Sequence, residues 1–121
     1  MADEITVNFS LTSNLDGENP IRLNPASMSI DKAAKGRFST TITVGTSEET
    51  LSTFGELATE GLCVIRNLDA TNFISVGSST GSYLIKALPG ESYFFRLIPS
   101  LTLYLKADTA NCLLDITVLE N

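Results

Sequence analysis

Histidine and tryptophan are both missing from the 121 residues of this chain. Without histidine, the side chain that most often acts as a general base near neutral pH and most often ligates zinc is gone. Cations are scarce as well: 8 Lys and Arg face 14 Asp and Glu, a net charge of −6. Nucleic-acid binding rests on clustered cations that neutralise phosphates, so a general nucleic-acid binder is not expected. No apolar run reaches the roughly 18 residues of a membrane span. The opening Met1-Ala2-Asp3-Glu4 is acidic where a secretory leader would be basic and then apolar. Synthesis and retention in the cytoplasm, or departure as part of an assembly, is the expectation. Two cysteines, Cys63 and Cys112, set no disulfide framework by number. Each stands beside apolar neighbours (Leu62 and Val64; Leu113 and Leu114), the setting of buried reduced thiols.

What is present reads as one globular unit. With 43% hydrophobic and 18% charged residues, the composition is that of a folded domain. A chain of this length buries roughly 65% of its unfolded surface and needs no staples. A single domain over 1–121 is expected, with residues 1–12 as a strand or docking arm.

Alternation of period two dominates. Ile5, Val7, Phe9 and Leu11 fall on one face of a strand, and Thr6, Asn8, Ser10 and Thr12 on the other. Turn chemistry follows over Asn14 to Pro20, and Ile21 to Leu23 is a short apolar piece. Ser29 to Gly36 reads as a short helical turn or a basic loop. Strand character returns over Arg37 to Val44, weakens around Leu51 and Phe54, and then becomes dense. Leu62–Leu68, Phe73–Val76, Tyr83–Ala87, Tyr93–Ile98, Leu101–Ala107 and Leu113–Leu119 are six further strands. Pro89-Gly90 between two of them predicts a type II turn, with Gly taking the positive φ. Turns every 8–12 residues between β-branched and aromatic runs predict an all-β, antiparallel β-sandwich of nine or ten strands, jelly-roll or immunoglobulin-like. Leu62-Cys63-Val64-Ile65 and Tyr93-Phe94-Phe95 are apolar on both faces, which asks for a cover beyond the strand's own sheet.

Candidate chemical sites fare poorly against ordinary structural readings. The close pairs of acids Asp3/Glu4, Asp16/Glu18 and Glu48/Glu49 lie in terminal or turn-like stretches, where solvated charge is the rule; general acid–base work needs two acids held across a substrate. Gly77-Ser78-Ser79-Thr80-Gly81 lacks the Lys-Ser/Thr ending and the following helix of a phosphate-binding loop, and reads as a hairpin tip. A cysteine without a histidine partner in apolar surroundings is inert. Asp16-Gly17-Glu18-Asn19 offers oxygens to calcium but not the spacing of a calcium loop. Asn8-Phe9-Ser10 matches a glycosylation sequon by chance, inside a strand. No catalytic residue, metal ligand or cofactor is expected, and the chain reads as a non-enzyme.

Binding is a different matter. Lys32, Lys35 and Arg37 form the one basic cluster in an acidic chain and suit an acidic partner surface. Arg66, Lys86, Arg96 and Lys106 stand singly within strands, on outward faces or beside Asp69, Asp115 or Glu91. Arg96, between Phe95 and Leu97, is the strongest interface candidate among them, because arginine tolerates burial when paired. Ile5 and Val7 are further docking candidates.

The stretch Arg66-Asn67-Leu68-Asp69-Ala70-Thr71-Asn72-Phe73-Ile74-Ser75-Val76-Gly77 carries a resemblance, together with Leu88-Pro89-Gly90-Glu91, Phe95-Arg96-Leu97 and Leu103 to Thr109. Over about Leu62 to Glu120 the chain resembles small all-β structural proteins of tailed bacteriophages. In size and composition it looks most like a capsid decoration, or cement, protein. The resemblance implies a virion location on the outer capsid surface after synthesis in the host cytoplasm. It also implies the major capsid protein and the chain itself as partners, a trimer being the natural format. A second reading is a tail- or fibre-associated component that binds host surface sugars through Tyr83, Tyr93 and Tyr104.

Overall fold

The computed structural model describes residues 5–13, 21–23, 28–30 and 35–121. By its contacts the chain divides into two units, Met1–Ala33 and Ala34–Asn121. Among the described residues all regular structure is β, in twelve strands where the sequence suggested nine or ten.

The first unit holds four three-residue strands: β1 (Ile5–Val7), β2 (Leu11–Ser13), β3 (Ile21–Leu23) and β4 (Met28–Ile30). β1 pairs with β4 and β2 with β3, both antiparallel. The pairing is nested, as in a single hairpin ribbon. Ile5 lies opposite Ile30 and Val7 opposite Met28, so this end of the ribbon has one apolar face, with Thr6 and Ser29 on the other. The continuous strand expected over Ile5 to Thr12 is broken. Three residues separate β1 from β2 and four separate β3 from β4, so one ladder cannot run through both pairs. Residues 8–10 leave the ladder and Asn8 with its sequon is not in a strand. Ser29 lies in β4 opposite Thr6, which removes the expected helical start at that position. Ile30 is also in β4, Lys35 and Gly36 have no regular structure, and residues 31–34 lie outside the described residues.

The second unit is a β-sandwich of eight strands: β5 (Arg37–Val44), β6 (Glu49–Leu51), β7 (Glu60–Asn67), β8 (Ile74–Ser79), β9 (Ser82–Ala87), β10 (Ser92–Arg96), β11 (Leu103–Ala107) and β12 (Cys112–Glu120). The first sheet has the order β10-β7-β12-β5 and the second β6-β11-β8-β9. First pairs with last throughout: β5 with β12, β6 with β11, β7 with β10 and β8 with β9. That nesting is a jelly roll, a long antiparallel ribbon wound into two sheets. An immunoglobulin domain keeps its first two strands in one sheet; here β5 and β6 lie in different sheets.

Strand alternation builds the core. Along β12, Cys112, Leu114, Ile116 and Val118 are buried while Leu113 and Asp115 face solvent. Cys63 and Ile65 of β7 join them from the first sheet, and Ile74, Val76, Leu103, Leu105 and Ala107 come from the second. Burial of each large side chain contributes about 1.5–3 kcal/mol, against the ordering of the chain. Phe54, from the β6–β7 connection, enters the core and meets the Phe38 ring edge-on at 5.9 Å. Phe38 stands on β5 and Phe54 follows β6, the end strands of the two sheets, so the pair joins the layers. The Pro89-Gly90 turn forms as expected: the Glu91 N–H donates to the Leu88 carbonyl at 3.0 Å, and Gly90 has φ 79°.

Candidate docking surfaces

The acids do structural work at turns. Glu48 accepts from the Tyr83 hydroxyl and from the Gly81 N–H at 2.8 Å, and the Tyr83 bond in particular holds its carboxyl below the usual range. Glu49 accepts from the Gly45 N–H. These adjacent side chains therefore serve different turns and do not face one another. Glu91 accepts from the Tyr93 hydroxyl at 2.6 Å and the Leu88 N–H at 2.9 Å, which lower its pKa in that order. Asp69 caps the backbone N–H groups of Asn72 and Thr71, and these bonds lower its pKa too. The pairs Asp3/Glu4 and Asp16/Glu18, and the loop Asp16 to Asn19, lie outside the described residues. Among the described residues no three His, Cys, Asp or Glu cluster as a metal site would require. Cys63 and Cys112 are free and buried. Burial pushes the Cys63 thiol up to about 12, and raises Cys112 with help from Asp69 and Asp108. Neither holds an appreciable thiolate fraction near neutrality.

Gly77 is not part of the hairpin tip, as its sequence neighbours suggested. It lies buried inside β8, and the tip is Thr80-Gly81, between the paired Ser79 and Ser82. The register of β8 with β9 slips beside it. Val76 faces Ile85 and Gly77 faces Tyr83, so Leu84 is the extra residue of a β-bulge. The bulged backbone comes so close that a Cβ on Gly77 would sit 2.0 Å from the Ser82 carbonyl oxygen.

The residues proposed for docking are scattered. Ile5 and Val7 are half-buried on the ribbon. Lys32 lies outside the described residues; Lys35 and Arg37 are exposed where the second unit begins. Arg37 pairs with Leu119 on the edge strand β5. Arg96 is exposed on β10, the opposite edge of the same sheet, three strand spacings of about 4.8 Å away. Arg96 and Arg37 therefore do not belong to one patch. The remaining single cations all face solvent: Arg66 directly opposite Asp115, Lys86 with its ammonium 4.4 Å from the Phe73 ring centre, and Lys106 near Glu48. Of the two-faced apolar runs, Cys63 and Ile65 point inward, while Val64 and Phe94 lie opposite each other on the outer face, 41% and 37% exposed.

An unexpected surface appears at the seam between β9 and β10. This seam holds a half-open apolar groove of about 300 Å³. Val76, Ile85, Leu97 and Leu103 line it, with Phe95 on the β10 side. At its rims stand Leu84 and Ile98, respectively 89% and 72% exposed. Each is held outward by an irregular backbone. Leu84 is the bulge residue, and Ile98 begins a tight turn closed by the Leu101 N–H on the Ile98 carbonyl at 3.2 Å. In that turn Ser100 has φ 67°, a conformation that costs a residue with a Cβ about 1–2 kcal/mol. Arg96 is the charged residue of the lining, its Nη1 donating to Asn121 Oδ1 at 3.4 Å. Hydropathy alone gives no sign of this groove. The sequence signals are a glycine inside a strand pattern, marking a bulge, and Pro-Ser where Pro-Gly would be relaxed.

Comparison with known proteins adds no relative: no family model, no curated protein and no solved structure matches the chain.

Proposed function

We propose that the chain is a non-enzymatic structural protein of a tailed-bacteriophage virion, a decoration or cement protein that binds the outer surface of the major capsid lattice and stabilises the head. The observation that supports it best is the presence of two shapes in one chain: a jelly-roll sandwich and a two-stranded ribbon with an apolar face. A two-stranded ribbon is marginal in water by itself and gains stability when another surface covers it. The jelly roll is an architecture that viral capsid proteins use repeatedly. A protein that binds an assembled lattice and not its free subunits stabilises the lattice by mass action. Weak contacts, repeated over many sites and through a homotrimer, multiply into tight retention. In this reading Ile5 and Val7 on the ribbon, the basic residues Lys32, Lys35 and Arg37, and Arg96 meet the major capsid protein or another copy. No nucleic acid, membrane or cofactor takes part, and the protein reaches the virion from the host cytoplasm.

The test is retention on purified particles. Deletion of residues 2–10, or replacement of Lys32, Lys35 and Arg37 by Glu, is expected to lower occupancy at a fixed protein concentration. Unchanged occupancy of both variants removes the docking assignment, and particles whose heads never contain the protein remove the reading itself.

One observation favours the tail-associated, sugar-binding alternative. Tyr104 and Tyr83 both lie opposite Gly77, so the two tyrosines flank a residue without a side chain on the outer face of the second sheet. Tyr93 is on the other sheet. Selective release of the protein with tails, together with sugar-dependent shifts at Tyr83 and Tyr104, would favour that alternative over the head.

A further inference from the structure

We infer that the outer face of the second sheet holds a site for one neutral sugar ring at the end of a glycan, built by Phe73, Ser75, Tyr83, Lys106 and Asp108. This site rests on the sugar-binding reading above and gives it a place and a class of sugar. Strand register brings the residues together. Ser75, on the inner strand β8, lies opposite Lys106 of β11 on one side and Lys86 of β9 on the other. Two residues before Ser75, the Phe73 carbonyl accepts from the Asp108 N–H at 3.1 Å. Between these longer neighbours the small Ser75 stands in a half-open hollow of about 280 Å³, lined by the five named residues and Ala107. That volume is at the small end of ligand sites, about 300–1,000 Å³, and suits a single ring.

The chemistry of the lining selects the ligand. Phe73 and Tyr83 offer aromatic surface on which the C–H face of a sugar ring packs. The Lys106 ammonium only donates hydrogen bonds, the Asp108 carboxylate only accepts them, and the Ser75 hydroxyl does both, so ring hydroxyls find a partner in either role. One cation and one anion share the hollow. A sugar carboxylate would therefore face Asp108 and a sugar ammonium would face Lys106, while a neutral ring meets neither repulsion. Both aromatic rings are held by contacts within the sheet face and its flanking turn. The Tyr83 hydroxyl donates to Glu48 at 2.5 Å, and the Lys86 ammonium stands 4.4 Å from the Phe73 ring centre. Walls fixed in advance reduce the ordering cost of binding.

The experiment titrates the full-length protein, labelled with ¹⁵N, with the methyl glycosides of glucose, galactose, mannose and N-acetylglucosamine. The same four sugars in free form, glucuronate and glucosamine are titrated beside them. At least one glycoside is expected to shift the amides of Ser75, Tyr83, Lys106 and Asp108 with a Kd of about 1–10 mM, no weaker than its free sugar. Glucuronate and glucosamine are expected to bind about fivefold more weakly or worse. Ser75→Leu is expected to fill the hollow and abolish these shifts. Asp108→Asn, at an exposed position, is expected to raise glucuronate binding toward that of the best glycoside. Unchanged amides elsewhere verify the fold of each variant. Shifts confined to another face, binding of free sugars alone, or a charged sugar bound as tightly as the best glycoside would overturn the site and leave the sugar-binding reading standing. An Asp108→Asn variant with the parent's preference would overturn it in the same way. No shift with any of these sugars at about 50 mM removes both the site and that reading.

Discussion

The side chain of Asn67, wholly buried at the end of β7 in one sheet, donates a 2.9 Å hydrogen bond to the carbonyl of Ala87 in the other sheet. Its amide donates a second, also 2.9 Å, to the Asn72 carbonyl, while its oxygen accepts from the Asp69 N–H at 2.9 Å. One carboxamide thus ties the two layers together and shapes the β7–β8 turn. Its main chain holds the neighbouring turn as well: Gly90 N–H donates to the Asn67 carbonyl and Asn67 N–H to the Glu91 carbonyl.

Asn67→Ala is therefore expected to leave buried polar groups without partners and to cost about 2–4 kcal/mol. Asn67→Asp is expected to cost more, because a carboxylate would face two carbonyl oxygens. Urea unfolding followed by circular dichroism measures both. A loss below about 0.5 kcal/mol for Asn67→Ala would contradict the role assigned to this amide.

Glycines 77 and 81 separate close approach from conformational demand. Gly77→Ala sets a methyl against the Ser82 carbonyl and within 2.8 Å of Tyr83 Cα, backbone atoms that cannot rotate away. The expected cost is about 3 kcal/mol or more, with register change at the bulge. Gly81→Ala meets nothing within 4 Å and pays only for its φ of 69°, about 1 kcal/mol. Equal losses at the two positions would refute the bulge as the source of the difference.

Acid is expected to destabilise the sandwich through three turn-capping carboxylates. Glu48, Asp69 and Glu91 have pKa values below the ordinary 4.5, 3.8 and 4.5. As pH falls through those ordinary values the unfolded chain takes up protons first. The stabilisation is thus complete above about pH 5 and lost as pH drops through the depressed values. Urea midpoints at descending pH measure it. Glu91→Gln should show a shallower acid decline than the parent, and an identical decline would remove Glu91 from the account.

At the alkaline end the sign reverses. The Cys63 thiol rises from 9.0 to about 12 on folding, so above pH 9 the unfolded chain loses its proton while the folded chain keeps it. Stability falls as pH rises from 9 toward 12. Cys63→Ala should flatten that slope while lowering stability at neutral pH. In the native parent, a thiol reagent at pH 8 should modify Cys63 no faster than the chain opens. Rapid stoichiometric labelling of native protein would contradict the burial.

Most strand positions were legible because a half-buried strand must alternate, and alternation is a local property. Arg37–Val44 and Ile21–Leu23 carry the same bounds in sequence and structure, and the six later runs differ from β7–β12 by at most three residues at either end. The Ile5-to-Leu11 alternation failed as one strand because its partner has an extra residue, which lies outside the window that suggested it. The docking residues fared as their locality allows. Lys35 and Arg37 are neighbours in the chain and both exposed, but Arg96 is at the far edge of the sheet, a separation that only strand order sets. The groove was invisible because Leu84 and Ile98 look like any core leucine and isoleucine until the bulge and the serine turn show which way they face.

By itself, then, the amino-acid order determined the β class, the turns and the lack of histidine chemistry, since propensity, periodicity and composition act over a few residues. Tertiary structure alone decided that β5 pairs with β12, that Asn67 reaches Ala87, and that Phe54 enters the core beside Phe38 while Leu84 and Ile98 face outward. Those outcomes depend on which distant segments share a ladder. Such pairing is selected by the packing of the whole core and by no residue alone.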